Sequence, residues 1–309
     1  MSDPQQFEVL VVGGGVAGLT AGLFSARLGR STLVLVSLMP GGHLATITKI
    51  DDFPGFPGGV AGYDLGPMIQ EQADAAGAQF QMGEMLSIAA VRGGWRVTTS
   101  EGDVEAKAVI VATGSANRML GVPGEERLTG KGVSHCASCD GPLLRNKKVI
   151  VVGAGDSGLQ EALTLSEFAA EVLVLHRSAK SGAQEAYQKR VREQSKIKIQ
   201  GNTVIEEILG DIGVTGVRVL ENGVTREITA EAVFVYTGFQ PNTGYLQGIA
   251  DLDEAGRVRT DIWMQTSAAG LFAAGDARAD SASQAITAAG DGATAALAAD
   301  RYLKSFDPA

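Results

Sequence analysis

The stretch Phe7-Glu8-Val9-Leu10-Val11-Val12-Gly13-Gly14-Gly15-Val16-Ala17-Gly18 runs from an apolar, β-branched segment straight into a glycine turn. Residues 7–12 have the composition of a strand buried on both faces of a parallel sheet. Residues 19–28 then read as a helix. Strand, G-x-G-x-x-G and helix, in that order, are the pattern of a dinucleotide-binding βα unit. Its first glycine makes the turn, its second lets a pyrophosphate approach the backbone, and its third lets helix pack on strand. The alternative at this point is a tight βα turn that holds no ligand.

The chain then repeats itself. Val149-Ile150-Val151-Val152-Gly153-Ala154-Gly155-Asp156-Ser157-Gly158 mirrors residues 10–18. Each unit also closes on an apolar strand ending in Thr-Gly, at residues 108–114 and 232–238. Two such turns with two such closures are far harder to reach by chance than one.

Within the first unit, residues 32–36 read as the second strand, and Ser37 stands where a ribose-binding acid is usual. Met39-Pro40-Gly41-Gly42-His43-Leu44 is a glycine turn in which His43 either touches a ligand or caps the turn. Residues 50–59, with Asp52, form a Pro- and Gly-rich loop. Residues 65–76 read as an amphipathic helix, and 80–104 as short antiparallel strands around Gly93-Gly94. In the second unit, a strand at 172–175 leads into His176-Arg177-Ser178-Ala179-Lys180, and 185–198 reads as a charged helix and then a strand. Residues 271–276 are a further strand ending in an acid, and 283–302 are Ala-rich and helical. The expected fold class is α/β: two Rossmann-like dinucleotide-binding domains, each a three-layer ββα arrangement, the second inserted in the first. Crossings at 114–117 and 238–243, rich in small and polar residues, give domains of 1–117 with 245–309, and 118–244.

At 309 residues, each domain is large enough for its own core. Hydrophobic content of 45% and charge of 20% suit a soluble globular protein. A net charge of −9 argues against nucleic acid and anionic membranes as partners, and no apolar run approaches a membrane span. Met1-Ser2-Asp3-Pro4 lacks the features of a signal peptide. The 2 cysteines do not make a secreted scaffold, so a reducing cytoplasm is the expected setting.

Both cysteines lie in His135-Cys136-Ala137-Ser138-Cys139-Asp140. Sulfurs separated by two residues can close a small disulfide ring when the second opens a helix, whose N-terminus favours thiolate over thiol. Asp140 offers a carboxyl able to move a proton as the ring opens. Zinc needs four ligands. With His43, His135 and His176 the only histidines, no more than three lie locally, and no metal is expected. Haem attachment needs Cys-x-x-Cys-His, whereas here the histidine comes first. Two buried apolar thiols remain the plain alternative to a redox couple.

These residues, in order and over nearly the full length, resemble the low-molecular-weight thioredoxin reductases of bacteria. The likeness is carried by the glycine turn at 13–18, by Gly41-Gly42-His43-Leu44 and by Ala112-Thr113-Gly114. It extends to Cys136-Ala137-Ser138-Cys139-Asp140-Gly141, to Gly275-Asp276 and to Gln284-Ala285-Ile286-Thr287. The resemblance implies FAD in the first module, a nicotinamide nucleotide in the second, a homodimer, and a thioredoxin-like protein as partner. It implies that Cys139 lies against the flavin, that Cys136 attacks the substrate disulfide, and that Asp140 is the acid. The cofactor-binding residues expected in the first module are Gly13, Gly15, Val16, Ala17, Gly18, Ser37, Gly41, Gly42, His43, Leu44, Asp52, Ala112, Thr113, Gly114, Gly275, Asp276, Gln284, Ala285 and Ile286. In the second they are Gly153, Gly155, Asp156, Ser157, His176 and Arg177.

Two departures stand out. The family usually has Arg before the Gln of the last motif, and here Ser283 stands there. Its phosphate reader is His-Arg-Arg followed four residues on by Arg, whereas this chain has His176-Arg177-Ser178 and then Gly182. The nicotinamide nucleotide is therefore NADH, or NADPH used weakly. Two further alternatives are a protein donor such as ferredoxin, and a dithiol oxidase that runs the chemistry backward to oxygen.

Overall fold

The structure, a computed structural model, describes residues 4–306, so residues 1–3, read above for a leader, lie outside it. The chain divides into two compact units, Met1–Ala116 with Gln240–Ala309, and Asn117–Phe239.

In the first unit β1 (Gln5–Val12) leads through the glycine turn into α1 (Val16–Arg27), then β2 (Thr32–Val36), α2 (Gly62–Ala75) and β3 (Gln79–Met82). The three strands are parallel in the order β3-β2-β1. β4 (Met85–Val91) and β5 (Gly94–Thr99) form an antiparallel hairpin that runs on into β6 (Gly102–Val111). β6 pairs in parallel with β1, and its start also carries β5. Its last residues pair instead with Leu271–Ala273, a strand from the far end of the chain. Two expectations change here. β3 is parallel rather than part of an antiparallel set, because α2 carries the chain back across the sheet before it. α2 begins at Gly62 rather than residue 65 and holds Pro67 inside it.

Side chains alternate across a strand, so adjacent residues of β1 enter different cores. Val9 and Val11 face the helices, packing with Ala17, Ala21 and Ala295. Leu10 and Val12 face the hairpin, packing with Ile88, Trp95 and Val97. Helices, parallel sheet and hairpin are the three layers expected from the sequence.

As the chain leaves the first unit it forms β7 (Ser115–Asn117). The second unit holds α3 (Glu125–Leu128), β8 (Val133–Ser134), α4 (Ala137–Asp140), β9 (Lys148–Val152), α5 (Asp156–Ser166), β10 (Glu171–Leu175), α6 (Glu185–Arg192) and β11 (Ile197–Gln200). An antiparallel sheet of β12 (Thr203–Gly210), β13 (Val214–Glu221) and β14 (Val224–Thr229) precedes β15 (Ala232–Val235), and β16 (Phe239–Pro241) pairs with β7. The order β11-β10-β9-β15-β8 is parallel throughout. Val149 and Val151 face the helices and Ile150 and Val152 face the antiparallel sheet, repeating the layering of the first unit.

Back in the first unit, β17 (Leu271–Ala273) is followed by a short 3-10 turn, Gly275–Ala277, and by α7 (Ala285–Lys304). The strand thus stops before the acid that was expected to end it. Residues 240–244, expected in the inserted module, bond within the first unit: Asn242 N–H donates to the Gly114 carbonyl at 3.0 Å. The Ala-rich face of α7 lets it pack directly on α1. A Cβ added at Gly292 would stand 2.1 Å from the Ala17 carbonyl oxygen, a backbone atom that cannot step aside cheaply. Gly292→Ala should therefore lower stability by about 1–3 kcal/mol, read as a fall in the urea midpoint at unchanged slope.

Candidate functional site

Four motifs far apart in sequence converge at the carboxyl ends of β1, β6 and β17. Gly13 has φ +117°, and a Cβ there would stand 2.2 Å from the Ala112 carbonyl oxygen. Gly41 N–H donates to the Gly14 carbonyl at 2.9 Å, and a Cβ on Gly42 would lie 3.1 Å from Gly15 Cα. Gly275, with φ +68°, places its hypothetical Cβ 3.0 Å from that of Ala17. Residues 13–18, 41–44, 112–114 and 275–276 thus share one place. Gly15 differs from these neighbours. A Cβ there would meet nothing within 4 Å, and Gly15 caps α1 with no side-chain bond. Space on the outer side of a bare helix N-terminus suits a pyrophosphate. α7 opens beside Gln284, also without a side-chain cap, and Ile286 in its first turn is exposed. Ser37 and Asp52 are exposed, and no hydrogen bond among the described residues ties either to the cradle.

Asp276 lies in this cradle, and burial raises its carboxyl above the usual range, opposed by the Ser281 hydroxyl and by His43. Its turn is held by residues the sequence did not single out. Asp291 on α7 accepts from Gly275 N–H at 3.1 Å and from Arg278 through Nε at 2.6 Å and Nη2 at 3.0 Å. Asp291 stands between two glycines in an Ala-rich helix that also holds Asp300, and no local sequence pattern marks it. Thr113 Oγ1 donates to the Asn242 carbonyl at 2.8 Å and lies 2.9 Å from the Tyr245 hydroxyl.

The second cradle repeats the first. Gly158 packs against the Gly153 carbonyl, while a Cβ on Gly155, which caps α5, would meet nothing within 4 Å. The loop after β10 folds onto this turn. Ser181 Oγ and Gly182 N–H both donate to the Ala154 carbonyl, at 2.7 and 3.2 Å. The Asp156 carboxylate accepts from Gln184 N–H at 2.7 Å and from Gln184 Nε2 at 2.9 Å. Asp156 is therefore engaged in holding the loop. His176 is buried, and burial lowers its pKa, so it is neutral at pH 7. Arg177, Ser178 and Lys180 are exposed.

Cys136 and Cys139 form a disulfide with Cα atoms 5.3 Å apart. The first cysteine, not the second, opens the helix: Cys136 is the N-cap of the four-residue α4. Its sulfur accepts from Cys139 N–H at 3.2 Å and lies 3.4 Å from the Ser138 hydroxyl. Its own N–H donates to Ser134 Oγ at 3.1 Å. His135 Nδ1 lies 3.0 Å from the Val235 carbonyl, which ties the turn to β15. Asp140 is half-buried at the end of α4, and its N–H donates to the Cys136 carbonyl at 3.1 Å.

Two dinucleotide cradles and a dithiol turn in one chain define a two-electron oxidoreductase of the nucleotide-and-disulfide class. Comparison with known proteins agrees. Residues 7–292 match the family described as Pyridine nucleotide-disulphide oxidoreductase. A thioredoxin reductase of Treponema pallidum is 40% identical over 302 residues, covering 97% of this chain and 98% of that protein. One of Streptomyces clavuligerus is 40% identical over 311 residues, with 99% and 96% covered. The crystal structure of Lactococcus lactis thioredoxin reductase superposes with a TM-score of 0.94 at 34% identity, covering 97% of this chain and 99% of that one. The chain belongs to the pyridine nucleotide-disulphide oxidoreductase family, as an enzyme of the thioredoxin reductase type. Among the described residues no helix is long and apolar enough to cross a membrane.

The Arg278–Asp291 pair is nearly enclosed, with side chains 16% and 9% exposed. Asp291→Ala leaves that guanidinium without its partner and frees Gly275 N–H. The variant should lose about 3–5 kcal/mol of stability and retain less flavin, both measurable in one thermal melt followed by flavin fluorescence.

Proposed function

We propose that this protein moves two electrons from a donor, through FAD held in the first cradle, to the Cys136–Cys139 pair and on to the disulfide of a thioredoxin-like protein. The carrying observation is the asymmetry of the dithiol turn, in which Cys136 sulfur, and not Cys139, receives two donors. Hydrogen bonds to the charged form favour it, so Cys136 is the better leaving thiolate and the nucleophile toward substrate.

FAD fits the first cradle: Gly15 leaves room for its pyrophosphate, and the N–H groups opening α1 and α7 lack side-chain caps. When bound, it supplies hydride acceptance at one position and electron-pair donation at another, which a nicotinamide and a disulfide cannot exchange directly. The protein's own residues do the rest. Reduction breaks the S–S bond and releases Cys136 as thiolate, with Asp140 placed to move the accompanying proton. Cys136 then attacks the substrate disulfide, and Cys139 resolves the mixed disulfide. The setting is a reducing cytoplasm and the assembly a homodimer.

The donor follows from the loop after β10. Each Arg-to-phosphate hydrogen bond contributes roughly 1.5–3 kcal/mol. Ser178 and Gly182 in place of two arginines thus remove roughly 3–6 kcal/mol of preference for a 2′-phosphate, more than about 100-fold. Neutral His176 adds no charge to compensate, and Lys180 offers only a point charge. The open face of Gly155 supports a nucleotide donor over a dithiol oxidase.

Two measurements check these assignments. Cys139→Ser should trap a covalent mixed disulfide between Cys136 and thioredoxin, and Cys136→Ser should trap none; the reverse pattern exchanges the roles. In anaerobic stopped flow, NADPH should bleach the flavin no more than about tenfold better than NADH. Ser178→Arg with Gly182→Arg should raise the NADPH rate alone. A native NADPH preference beyond about 100-fold would falsify the donor assignment, and bleaching only by reduced ferredoxin would move it to a protein donor.

A further inference from the structure

Beneath the dithiol turn lies a carboxyl that the disulfide chemistry above does not use. Glu161 is on the buried face of α5 and only 9% exposed. Ala137, the residue after Cys136, is fully buried in the same core as Ala162 and Leu165 of α5. The Ala137 backbone N–H faces the Glu161 carboxyl and partly relieves its burial. The hydroxyl of Tyr236, just past β15, is buried near the same N–H and has no hydrogen-bond partner among the described residues. Tyr236 lies within reach of the charges of both Glu161 and Asp140. The titratable groups around Glu161 are thus Tyr236 beyond β15, and Asp140 with the two sulfurs on the α4 turn. No basic side chain among the described residues acts on it.

We propose that Glu161 is a positioning residue for the redox turn that exchanges a proton in step with the dithiol, gaining one when the Cys136–Cys139 bond is reduced and losing it when the bond re-forms. The proposal rests on the assignment of Cys136 and Cys139 as the redox pair. Reduction breaks one S–S bond with two electrons from the donor. One sulfur gains a proton and the other stays a thiolate. That new charge lies one residue from the N–H that faces Glu161, where burial leaves little screening. A like charge disfavours an ionised carboxylate, so a solvent proton adds to Glu161. Disulfide, carboxylate, two electrons and two protons become thiol, thiolate and neutral carboxyl, and both sides carry one negative charge.

Geometry sets the contact, and burial sets the range. With no basic partner, burial pushes the Glu161 carboxyl up to about 7, only partly offset by the Ala137 N–H. In the oxidised protein it is protonated at pH 6 and mostly ionised at pH 8. In the reduced protein the thiolate holds the proton to higher pH. Linkage then requires the equilibrium for reducing the disulfide to fall with pH more steeply when Glu161 is present.

The test equilibrates FAD-loaded protein anaerobically with oxidised and reduced dithiothreitol from pH 5.5 to 8.5. The Cys136 and Cys139 thiols are then trapped by alkylation and counted by mass spectrometry. The wild-type to Glu161→Gln ratio of equilibrium constants should be flat below about pH 6 and fall above it, by up to about tenfold per pH unit. A ratio independent of pH overturns the proposal, even if turnover drops, because packing alone leaves the slope unchanged. If Glu161→Gln does not retain FAD, the wild-type protein alone serves: the infrared difference between reduced and oxidised protein at pH 8 should show a gained protonated-carboxyl band, and its absence overturns the proposal. Failure of the Cys136–Cys139 assignment is separable, since a disulfide that dithiothreitol cannot open at any pH, or thioredoxin turnover in Cys136→Ser, would report it directly.

Discussion

A Cβ on Gly18 would stand 1.8 Å from the Gly13 carbonyl oxygen, and one on Gly158 would stand 2.1 Å from that of Gly153. At both places the opening turn of a helix lies against the backbone of the strand it follows. No other residue type permits that approach, and without it the N-terminus of α1 or α5 could not lie over the end of its own strand. Everything chemical in the molecule depends on those placements. The motif at 41–44 docks on Gly14 and Gly15, and the turn at 275–276 docks on Ala17. α7 meets α1 through Gly292 against the Ala17 carbonyl. The first cradle is assembled largely by backbone contact.

That dependence explains what was legible in the sequence. Glycines demanded by close approach fall at fixed spacing, and the spacing repeats at 13–18 and 153–158. The strands behind them are continuous apolar runs because both faces are covered, and Val9 and Leu10 belong to different cores for that reason. The cysteine pair was legible because the chain holds no other sulfur of its kind. Residues acting through a second residue were not. Asp291 reaches Gly275 across 16 positions, and Glu161 reaches the dithiol turn from the next helix. Each lies at helical spacing on an apolar face, where one acid among alanines or leucines carries no local pattern. The order of the helix and the sulfurs was likewise out of reach, since it depends on which residue of a four-residue turn bends first.

Buried charge is handled differently in the two units. In the first, Asp291 is matched by a two-pronged Arg278 and a backbone N–H, so an enclosed carboxylate is fully paired. Asp276 beside it is only partly relieved, and burial raises its carboxyl. In the second, Glu161 has one backbone N–H and no cation. A fully paired carboxylate serves as structure. An under-paired one lies near its own titration point, where a nearby change of charge moves it. The two arrangements mark Asp291 as a fixed anchor and Glu161 as a group able to respond.

The second unit carries two functions on separate elements. The nucleotide loop follows β10 and is held to the glycine turn by Ala154, Asp156 and Gln184. The dithiol turn lies between β8 and β9 and is held by Ser134, Val235 and the buried Ala137. Their anchoring residues do not overlap. Ser178 is exposed on its loop, and Gly182, also exposed, would direct a side chain into open space. A change of charge at either position therefore alters what the loop can bind without straining the backbone that closes it over the turn, and it leaves the contacts to Cys136 sulfur untouched. This separation is the physical reason that arginines can be absent at residues 178 and 182 of the loop after β10 while Cys139 N–H and Ser138 Oγ keep their contacts with the Cys136 sulfur.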